Sequence, residues 1–405
     1  MISKIIKIEL IILLLCCLFI TSSLASQTIN FTNTEKILQN NPFNFNLFGA
    51  ITYLPKNKES FLEFITEGKD HFYEIGLQTS YYFGNAFSFN GQVSKHGAED
   101  LDIDFLTLKY SNSVNDCFSY NAEIGKIRLN MGFLSAGRLN PKYRWSIILP
   151  QTLYSNNVKR FTSGGWGLSF KPMYIFENNW GVTTNFAFFK PSKSSDETLI
   201  NAFYGPLAEG TYETGKGIII NTQFFSPIEK YQFYYTFGYI YDDLYTPSYM
   251  MKEYNQELIL NQIGFRYNIN NFSWLIEARH LHIWNDFYSD IGGEDKHQEG
   301  AGLNVATRYW INKNIVMTIF GYGYWTDKIG DWDGQEKAES LGTDKYSHIQ
   351  HDFYTTLVYK FNKYVDFKLE YHRMIGSSVV NGESNDMKSF PHEWDIVATQ
   401  ISFNF

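Results

Sequence analysis

The sequence contains little cysteine and no long apolar run beyond its first residues. Three of its 405 residues are cysteine, and two of them lie in the apolar run IELIILLLCCLFI at positions 8–20. If that run is removed as part of a signal peptide, Cys117 is the single thiol of the mature chain, which excludes a disulfide scaffold and a cysteine-ligated zinc finger. No later apolar run approaches the roughly 18 residues that a spanning helix needs, so a helical membrane protein is excluded. The formal net charge of −8 gives no indication of a nucleic-acid partner.

The first 25 residues are expected to be a cleaved signal peptide. Two lysines precede the apolar run, and Ser23-Leu24-Ala25 follows it as a small-residue cleavage site. Residues 26–42 are mainly polar, and we expect them to form a short periplasmic N-terminal extension. Because no linker or change of composition follows, residues 43–405 are expected to form one domain.

Aromatic residues are abundant. The 35 Phe, 29 Tyr and 9 Trp make up 18% of the chain, although the mean hydropathy is −0.28. An exported chain with so many aromatic residues and no membrane helix belongs to one of two classes, the secreted all-β proteins or the outer-membrane barrels.

Strict alternation is the strongest periodic pattern. In YQFYYTFGYIY (231–241) one face carries only aromatic residues, which predicts a strand. In VDFKLEYH (365–372) one face is apolar and the other is charged. The charged face is expected to meet water and consists of Asp366, Lys368, Glu370 and His372.

Sixteen segments show this pattern. They lie at about 43–54, 72–83, 87–94, 101–110, 118–128, 164–171, 180–189, 217–225, 231–241, 258–268, 272–283, 300–310, 315–325, 349–361, 364–374 and 393–405. Short connectors follow several even-numbered segments, and mostly long connectors follow the odd-numbered ones. Because lipid offers the backbone no hydrogen-bond partner, a membrane sheet must close on itself. The sequence therefore predicts an all-β fold, a transmembrane antiparallel β-barrel of about 16 strands with short periplasmic turns and long extracellular loops.

The last segment, WDIVATQISFNF, ends on an aromatic residue. In this it resembles outer-membrane barrel proteins, in which the terminal strand is recognised by the barrel-assembly machinery. The resemblance implies that Phe403 and Phe405 are an assembly signal. We expect deletion of Phe405 to lower the amount of assembled protein in the outer membrane much more than deletion of Ser26, as measured by quantitative blotting of membrane fractions. Equal amounts would contradict this role.

Two internal stretches resemble the phosphate-selective-type (O/P-like) porins of Gram-negative outer membranes. They are GKIRLNMGFLSAGRLNPKYRWSIILPQTLYSNNVKRF (125–161) and KLEYHRMIGSS (368–378). The resemblance implies a passive diffusion channel for small hydrophilic solutes, in contact with outer-membrane lipid and lipopolysaccharide, and it allows a homotrimer. The chain has no clean triple-lysine loop, so specificity for phosphate is not carried over. A surface-interaction barrel, acting as an adhesin or receptor with little conductance, is the alternative.

The third long connector, about 129–163, is expected to fold into the barrel and to narrow it. No acidic residue lies between Glu123 and Glu177, where eight basic residues occur. The candidate constriction residues are Arg138, Lys142, Arg144, Lys159 and Arg160, and the candidate pore-wall residues are Lys126, Arg128, Arg266, Glu277, Arg279, Arg308, Lys368 and Glu370. Basic residues in a pore favour anions, so we expect a weak preference for small anionic over cationic solutes. Basic residues near an outer rim could instead bind lipopolysaccharide phosphates.

No nucleophile with a positioned base stands out, so the protein is predicted not to be an enzyme and to need no cofactor. His280 and His282 share a strand face with aromatic residues, which favours a place in the outer aromatic girdle over a metal site. The segments 291–299, 326–345 and 382–395 are acidic and are expected to be outer loops. They lack the spacing of a calcium-binding loop, and we assign no metal.

Overall fold

The structure is a computed structural model, and it describes most of the chain from residue 42 onward. The described residues are 42–54, 71–96, 101–129, 131–135, 140–148, 165–191, 211–245, 253–289, 292–377 and 392–405. The expected signal peptide (1–25) and most of the expected extension (26–42) lie outside them.

Sixteen strands and two short helices make up the described structure. The strands are β1 (Phe43–Tyr53), β2 (His71–Phe83), β3 (Phe87–His96), β4 (Asp102–Ser113), β5 (Phe118–Ile127), β6 (Gly165–Ile175), β7 (Gly181–Pro191), β8 (Thr211–Phe225), β9 (Tyr231–Tyr245), β10 (Glu253–Ile269), β11 (Phe272–Ser289), β12 (Gly292–Trp310), β13 (Ile315–Thr326), β14 (Ile349–Lys360), β15 (Val365–Gly376) and β16 (Glu393–Asn404). The helices are α1 (Gly132–Ser135) and α2 (Gln335–Leu341), and single 3-10 turns lie at Pro141–Tyr143, Pro227–Glu229 and Lys345–Ser347.

The strands form one closed antiparallel barrel. Each strand pairs with its neighbours in the sequence, and β1 pairs with β16 to close the sheet. Across this closure Ile51 lies opposite Ile401. The predicted fold class is confirmed, because all sixteen predicted segments are strands of this barrel. Among the described residues, no helix is long and apolar enough to cross a membrane.

Short turns lie at one end of the barrel, and asparagine side chains shape several of them. The amide oxygens of Asn115, Asn312 and Asn362 each accept hydrogen bonds from backbone N–H groups two and three residues further on. Such a side chain mimics a backbone turn, so a few residues are enough to reverse the chain. The predicted alternation of short turns and long connectors is found in the structure, with one clear exception at β11–β12.

The prediction of an outer loop at 291–299 is wrong. From Gly292 onward this segment belongs to β12 and pairs with β11, with Gly292 opposite Ser289. These two strands have 18 and 19 residues, more than the roughly 9–11 that cross a membrane. The hairpin therefore extends well beyond a membrane-spanning length at the end opposite the short turns. The composition suggested a loop because the segment is charged and contains two glycines. Hydrogen bonding to β11 nevertheless holds it in a strand.

The outward face of the barrel is apolar. Large side chains such as Ile51, Leu168 and Ile401 are about half exposed and alternate with buried neighbours. Near the short turns, outward-facing rings contact one another from strand to strand. One run of contacts joins Tyr81, Phe83, Phe87, Tyr110, Tyr120 and Phe170. An apolar band with an aromatic border is the surface that a membrane-spanning barrel presents to lipid.

The inward face is packed rather than open along β14–β16. Asp366, Lys368, Glu370 and His372 are each at most 2% exposed. The expectation that this face meets water is therefore wrong, because the connector between β5 and β6 covers it. Buried charges are stable only when they are paired or hydrogen-bonded, and the connector supplies partners for two of the four, Lys368 and Glu370.

We expect the folded protein to resist dissociation in detergent at room temperature and to change its gel mobility only after heating. In a closed barrel the strand backbones are hydrogen-bonded on both sides, so opening it requires the cooperative loss of a whole ladder. The measurement is electrophoresis of heated and unheated samples of a verified membrane preparation. Identical mobility would count heavily against the barrel.

Candidate functional site

The connector between β5 and β6 contacts the inner wall of the barrel at separate places. Its first contact is α1, where the backbone N–H of Phe133 donates to Oε1 of Glu277 at 2.8 Å. The hydroxyl of Tyr234 donates to the same oxygen at 2.8 Å, and the Phe133 ring meets the Tyr234 ring edge-on with centroids 4.7 Å apart. Arg266 lies over the Phe133 ring, with its guanidinium carbon 4.8 Å from the ring centroid. This contact fixes α1 against β9–β11.

The wall is shaped locally for this contact by a glycine. Gly264 lies directly opposite Tyr234 in the register, and a side chain at Gly264 would collide with the Tyr234 ring. The ring can therefore lie against the wall, and the hydroxyl that donates to Glu277 is also the acceptor for Nε2 of Gln262 at 2.7 Å. The buried Glu277 carboxylate thus has two donors on one oxygen, which compensates for its removal from water.

The second contact lies on the opposite side of the interior, where Glu370 receives the connector backbone. The N–H groups of Ile147 and Ile148 donate to its two carboxylate oxygens at 2.7 and 2.8 Å. His372 lies 2.8 Å from Glu370 and 2.7 Å from Asp352, which places one imidazole between two carboxylates. The side chains of Ile147 and Ile148 pack into an apolar cluster that includes Met374, Trp394 and Ile396. Both polar and apolar contacts therefore bind this part of the connector to β14–β16.

Arg144 makes the third contact, with Glu74 on β2. Its two terminal nitrogens donate to the two oxygens of Glu74 at 2.9 and 2.6 Å, and both side chains are buried. His96 contacts the same carboxylate at 2.9 Å. On the other side, the ammonium group of Lys368 donates to the carbonyl oxygens of Arg144, at 3.0 Å, and of Pro141. Bidentate pairs of this kind are among the strongest that side chains form.

The connector continues to the short-turn end of the barrel. Nδ2 of Asn140 donates to Oδ1 of Asn404 at 2.9 Å, and the ammonium group of Lys142 donates to the carbonyl of Lys363, in the turn between β14 and β15. Burial lowers the pKa of Lys142 below its ordinary value, although the nearby carboxylate of Asp366 opposes the shift. The described parts of the connector, 131–135 and 140–148, thus contact β9–β11 on one side of the interior and β1, β2 and β14–β16 on the other.

A polar crevice lies along the inward face of β2–β5, near the turn between β2 and β3. This cavity has a volume of about 370 Å³, and its lining includes Gln78, Asn90, Thr107, Lys109, Ser111, Glu123 and Arg128. Lys109 and Glu123 lie directly opposite each other. Lys171 on β6 is close enough to both to interact with them electrostatically. Within the described part of the interior, the crevice is therefore a space that is lined by polar side chains and is large enough for water and small solutes.

The predicted constriction residues lie in different surroundings. Arg138, Lys159 and Arg160 are outside the described residues. Arg144 is neutralised by Glu74, and Lys142 is held at the short-turn end. Arg144 therefore does not face an open passage, as a constriction residue would. Arg144 instead holds the connector in place.

The predicted wall residues fall into three groups. Arg266, Glu277, Arg279, Arg308, Lys368 and Glu370 lie on the inward face, where the connector covers several of them. Arg308, for example, has its guanidinium carbon 5.0 Å from the centroid of the Trp145 ring. Arg128 lines the polar crevice. Lys126 lies opposite exposed Trp166 and pairs with Asp102 at 3.2 Å, so the register does not place it with the inward residues.

Four residues at the site were missed by the sequence analysis. Glu74 receives Arg144, while Lys109, Glu123 and Lys171 border the crevice. The signal that could have found them is their place on the polar side of each alternating strand. A wall residue's role depends on which connector atom reaches it, and strand periodicity carries no information about that.

The likeness to solved structures lies in the fold. No protein-family model matches the chain, and no curated protein matches it in sequence. A loop-deletion variant of OmpT, an outer membrane protein of Vibrio cholerae, aligns with a TM-score of 0.51 at 10% identity, over 90% of this chain and 99% of that one. The outer membrane channel DcaP of Acinetobacter baumannii aligns with 0.50 at 10% identity, over 90% and 97%. An anion-selective porin from Comamonas acidovorans aligns with 0.50 at 12% identity, over 90% and 100%.

Proposed function

We propose that the protein is an outer-membrane channel through which small hydrophilic solutes, anionic or neutral, diffuse passively. The observation that carries the proposal is the polar crevice on the inward face of β2–β5. A sixteen-stranded barrel is wide enough to enclose an aqueous channel, and here the connector occupies much of that width. In this proposal the connector acts as the constriction, and the crevice lies on the route that it leaves open. The similarity in fold to an outer membrane channel and a porin supports the same function.

A weak preference for anions is part of the proposal, but its source differs from the one expected from sequence. Lys109, Arg128 and Lys171 border or lie beside the crevice. Glu123 opposes them, and Asp104, which accepts hydrogen bonds from Gln92 and Ser94, adds a second negative charge near Arg128, so that three basic groups face two acidic ones. Charges beside a narrow, low-dielectric passage act strongly on passing ions. The net basic lining supports entry of anionic solutes.

Current through planar bilayers containing the purified chain tests the channel function. We expect steady single-channel conductance, because the crevice is lined by polar groups that can exchange with water. A heat-modifiable barrel that inserts but carries no current would overturn the proposal and favour the surface-interaction alternative. Insertion is verified independently by protease protection of the reconstituted protein.

An outer-membrane channel also implies contacts with lipid, with the assembly machinery and with further copies of the chain. We propose that the apolar outward face contacts outer-membrane lipid and lipopolysaccharide, that the chain is inserted by the barrel-assembly machinery, and that it can form a homotrimer. Chemical cross-linking in native membranes tests the trimer, with a threefold mass on denaturing gels as the expected product.

A further inference from the structure

A cluster of metal-ligating side chains lies on the outward face of the β11–β12 hairpin. Ligand atoms of His280, His282 and Glu299 all lie within 4.8 Å of one another. Nδ1 of His282 is 3.6 Å from Oε2 of Glu299 and 3.3 Å from Nε2 of His297. Two histidines of β11 thus meet a carboxylate of the neighbouring strand β12, and a third histidine, His297, contacts His282.

The register explains why these residues meet. His282 lies directly opposite Glu299, and Trp284 lies opposite His297. Since side chains two residues apart point to the same face of a strand, His280 and His282 share one face with Glu299 and His297. Trp274 and Ile276 lie on the same face of β11 and are exposed like the rest of the apolar band. The histidines follow them toward the end opposite the short turns, so the cluster lies at the outer border of that band.

One ring nitrogen in the cluster has no partner. Nε2 of His280 is shielded from solvent and makes no hydrogen bond to any described residue. A shielded polar atom without a partner is unfavourable, and a bound cation would supply the missing interaction. The His280 and His282 rings have centroids only 3.9 Å apart, so two protonated rings would repel each other. Metal coordination requires the neutral form of both.

The donor set selects the type of metal. Imidazole nitrogens with one carboxylate suit zinc and neighbouring transition metals, whereas calcium and magnesium prefer oxygen ligands. Zinc bonds of about 2.0–2.1 Å in a tetrahedron put ligand atoms roughly 3.3 Å apart. The separations of His282 from His297 and Glu299, 3.3 and 3.6 Å, are already close to that spacing.

We propose that His280, His282 and Glu299, with His297 as a fourth ligand, bind a divalent transition-metal ion of the zinc type. The ion joins β11 to β12 where this hairpin extends beyond membrane-spanning length. It therefore acts as a cross-strand clip at the outer rim and stabilises the part of β12 before Ala301, for which the described pairing is with β11 alone. The site is separate from the polar crevice, since it lies on the opposite face of the wall.

Isothermal titration of the untagged, chelator-washed protein with zinc chloride tests the site. We expect one zinc per chain in the wild type. His282→Gln and Glu299→Gln should each weaken zinc binding by at least about tenfold, the lower end of what removing even an outer-shell partner costs a metal site. His71→Gln is the matched control. His71 lies at the end of β2 that is remote from the short turns, packs against Tyr73 at 5.5 Å between centroids, and belongs to no metal-ligating group among the described residues.

The fluorescence of Trp284 gives a second measurement. Its ring stacks on His282 and on His297, each at 5.2 Å between centroids. We expect zinc to change the emission of the wild type but not that of Trp284→Phe, which should retain the heat of binding. Folding of each variant is checked by heat-modifiable mobility. If His282→Gln does not fold, the zinc affinity of Glu299→Gln alone tests the site. Equal zinc affinity in the wild type and Glu299→Gln, or equal losses in His71→Gln, would overturn the proposal.

Discussion

Replacing Glu74 and Glu370 by alanine is expected to raise the single-channel conductance, because the connector would leave the inner wall. Glu74→Ala leaves the Arg144 guanidinium buried without its partner, a loss that typically costs about 3–5 kcal/mol. Glu370→Ala removes the acceptor of the Ile147 and Ile148 N–H groups, at roughly 1–3 kcal/mol for each donor left unsatisfied. The strand ladders of β2 and β15 are unchanged by either substitution. The barrel should therefore stay closed while the segment 140–148 is released.

A paired control separates release of the connector from loss of negative charge. Glu393→Ala with Asp395→Ala also removes two carboxylates. Both pair with Arg373 and are exposed on the outward face of β16, the face that does not contact the connector. We expect that variant to conduct like the wild type. In a Cys117→Ser background, a cysteine at Ser146, which is 1% exposed, should react with a water-soluble thiol reagent only when Glu74 and Glu370 are absent. Unchanged conductance and unchanged labelling would show that these carboxylates do not hold the connector.

The second large effect is expected from the basic residues of the crevice. Replacing Lys109, Arg128 and Lys171 by glutamine should change the zero-current potential across a salt gradient. The potential should move from the value of an anion-selective pore toward that of a cation-selective pore. Glu123 would then be the main charge beside the route. The shift should be larger near 0.1 M salt, where the Debye length is about 10 Å, than near 1 M, where it is about 3 Å.

The matched control changes the same number of charges outside the barrel. Lys328, Lys337 and Lys345 lie in the connector 327–348 between β13 and β14, and their replacement by glutamine should leave the zero-current potential nearly unchanged. If the crevice variant behaves like this control, the crevice is not the route of permeation. A wild type that already prefers cations would instead contradict the proposed anion preference.

The sequence by itself determined the architecture. Alternation along β9 and β15 repeats every two residues, and a one-residue slip would place every apolar side chain on the wrong face. Asparagine at the short turns fixes where the chain reverses. These properties are local, so they can be recognised without knowing the fold. Closure of the sheet could also be predicted, because lipid offers no hydrogen-bond partner and every backbone group in a membrane must therefore be paired within the protein.

Only the tertiary structure decided what the charged residues do. Arg144 and Glu74 are far apart in sequence, and their ion pair depends on the path of the connector through the barrel. Glu370 and Lys368 lie on the inward face of β15, where the connector backbone binds them and removes them from water. His280 and His282 gained Glu299 as a neighbour because β12 begins at Gly292 and continues the pairing through a segment whose composition suggested a loop. Periodicity specifies which face a residue occupies, whereas strand register and the path of a long connector specify which groups meet there.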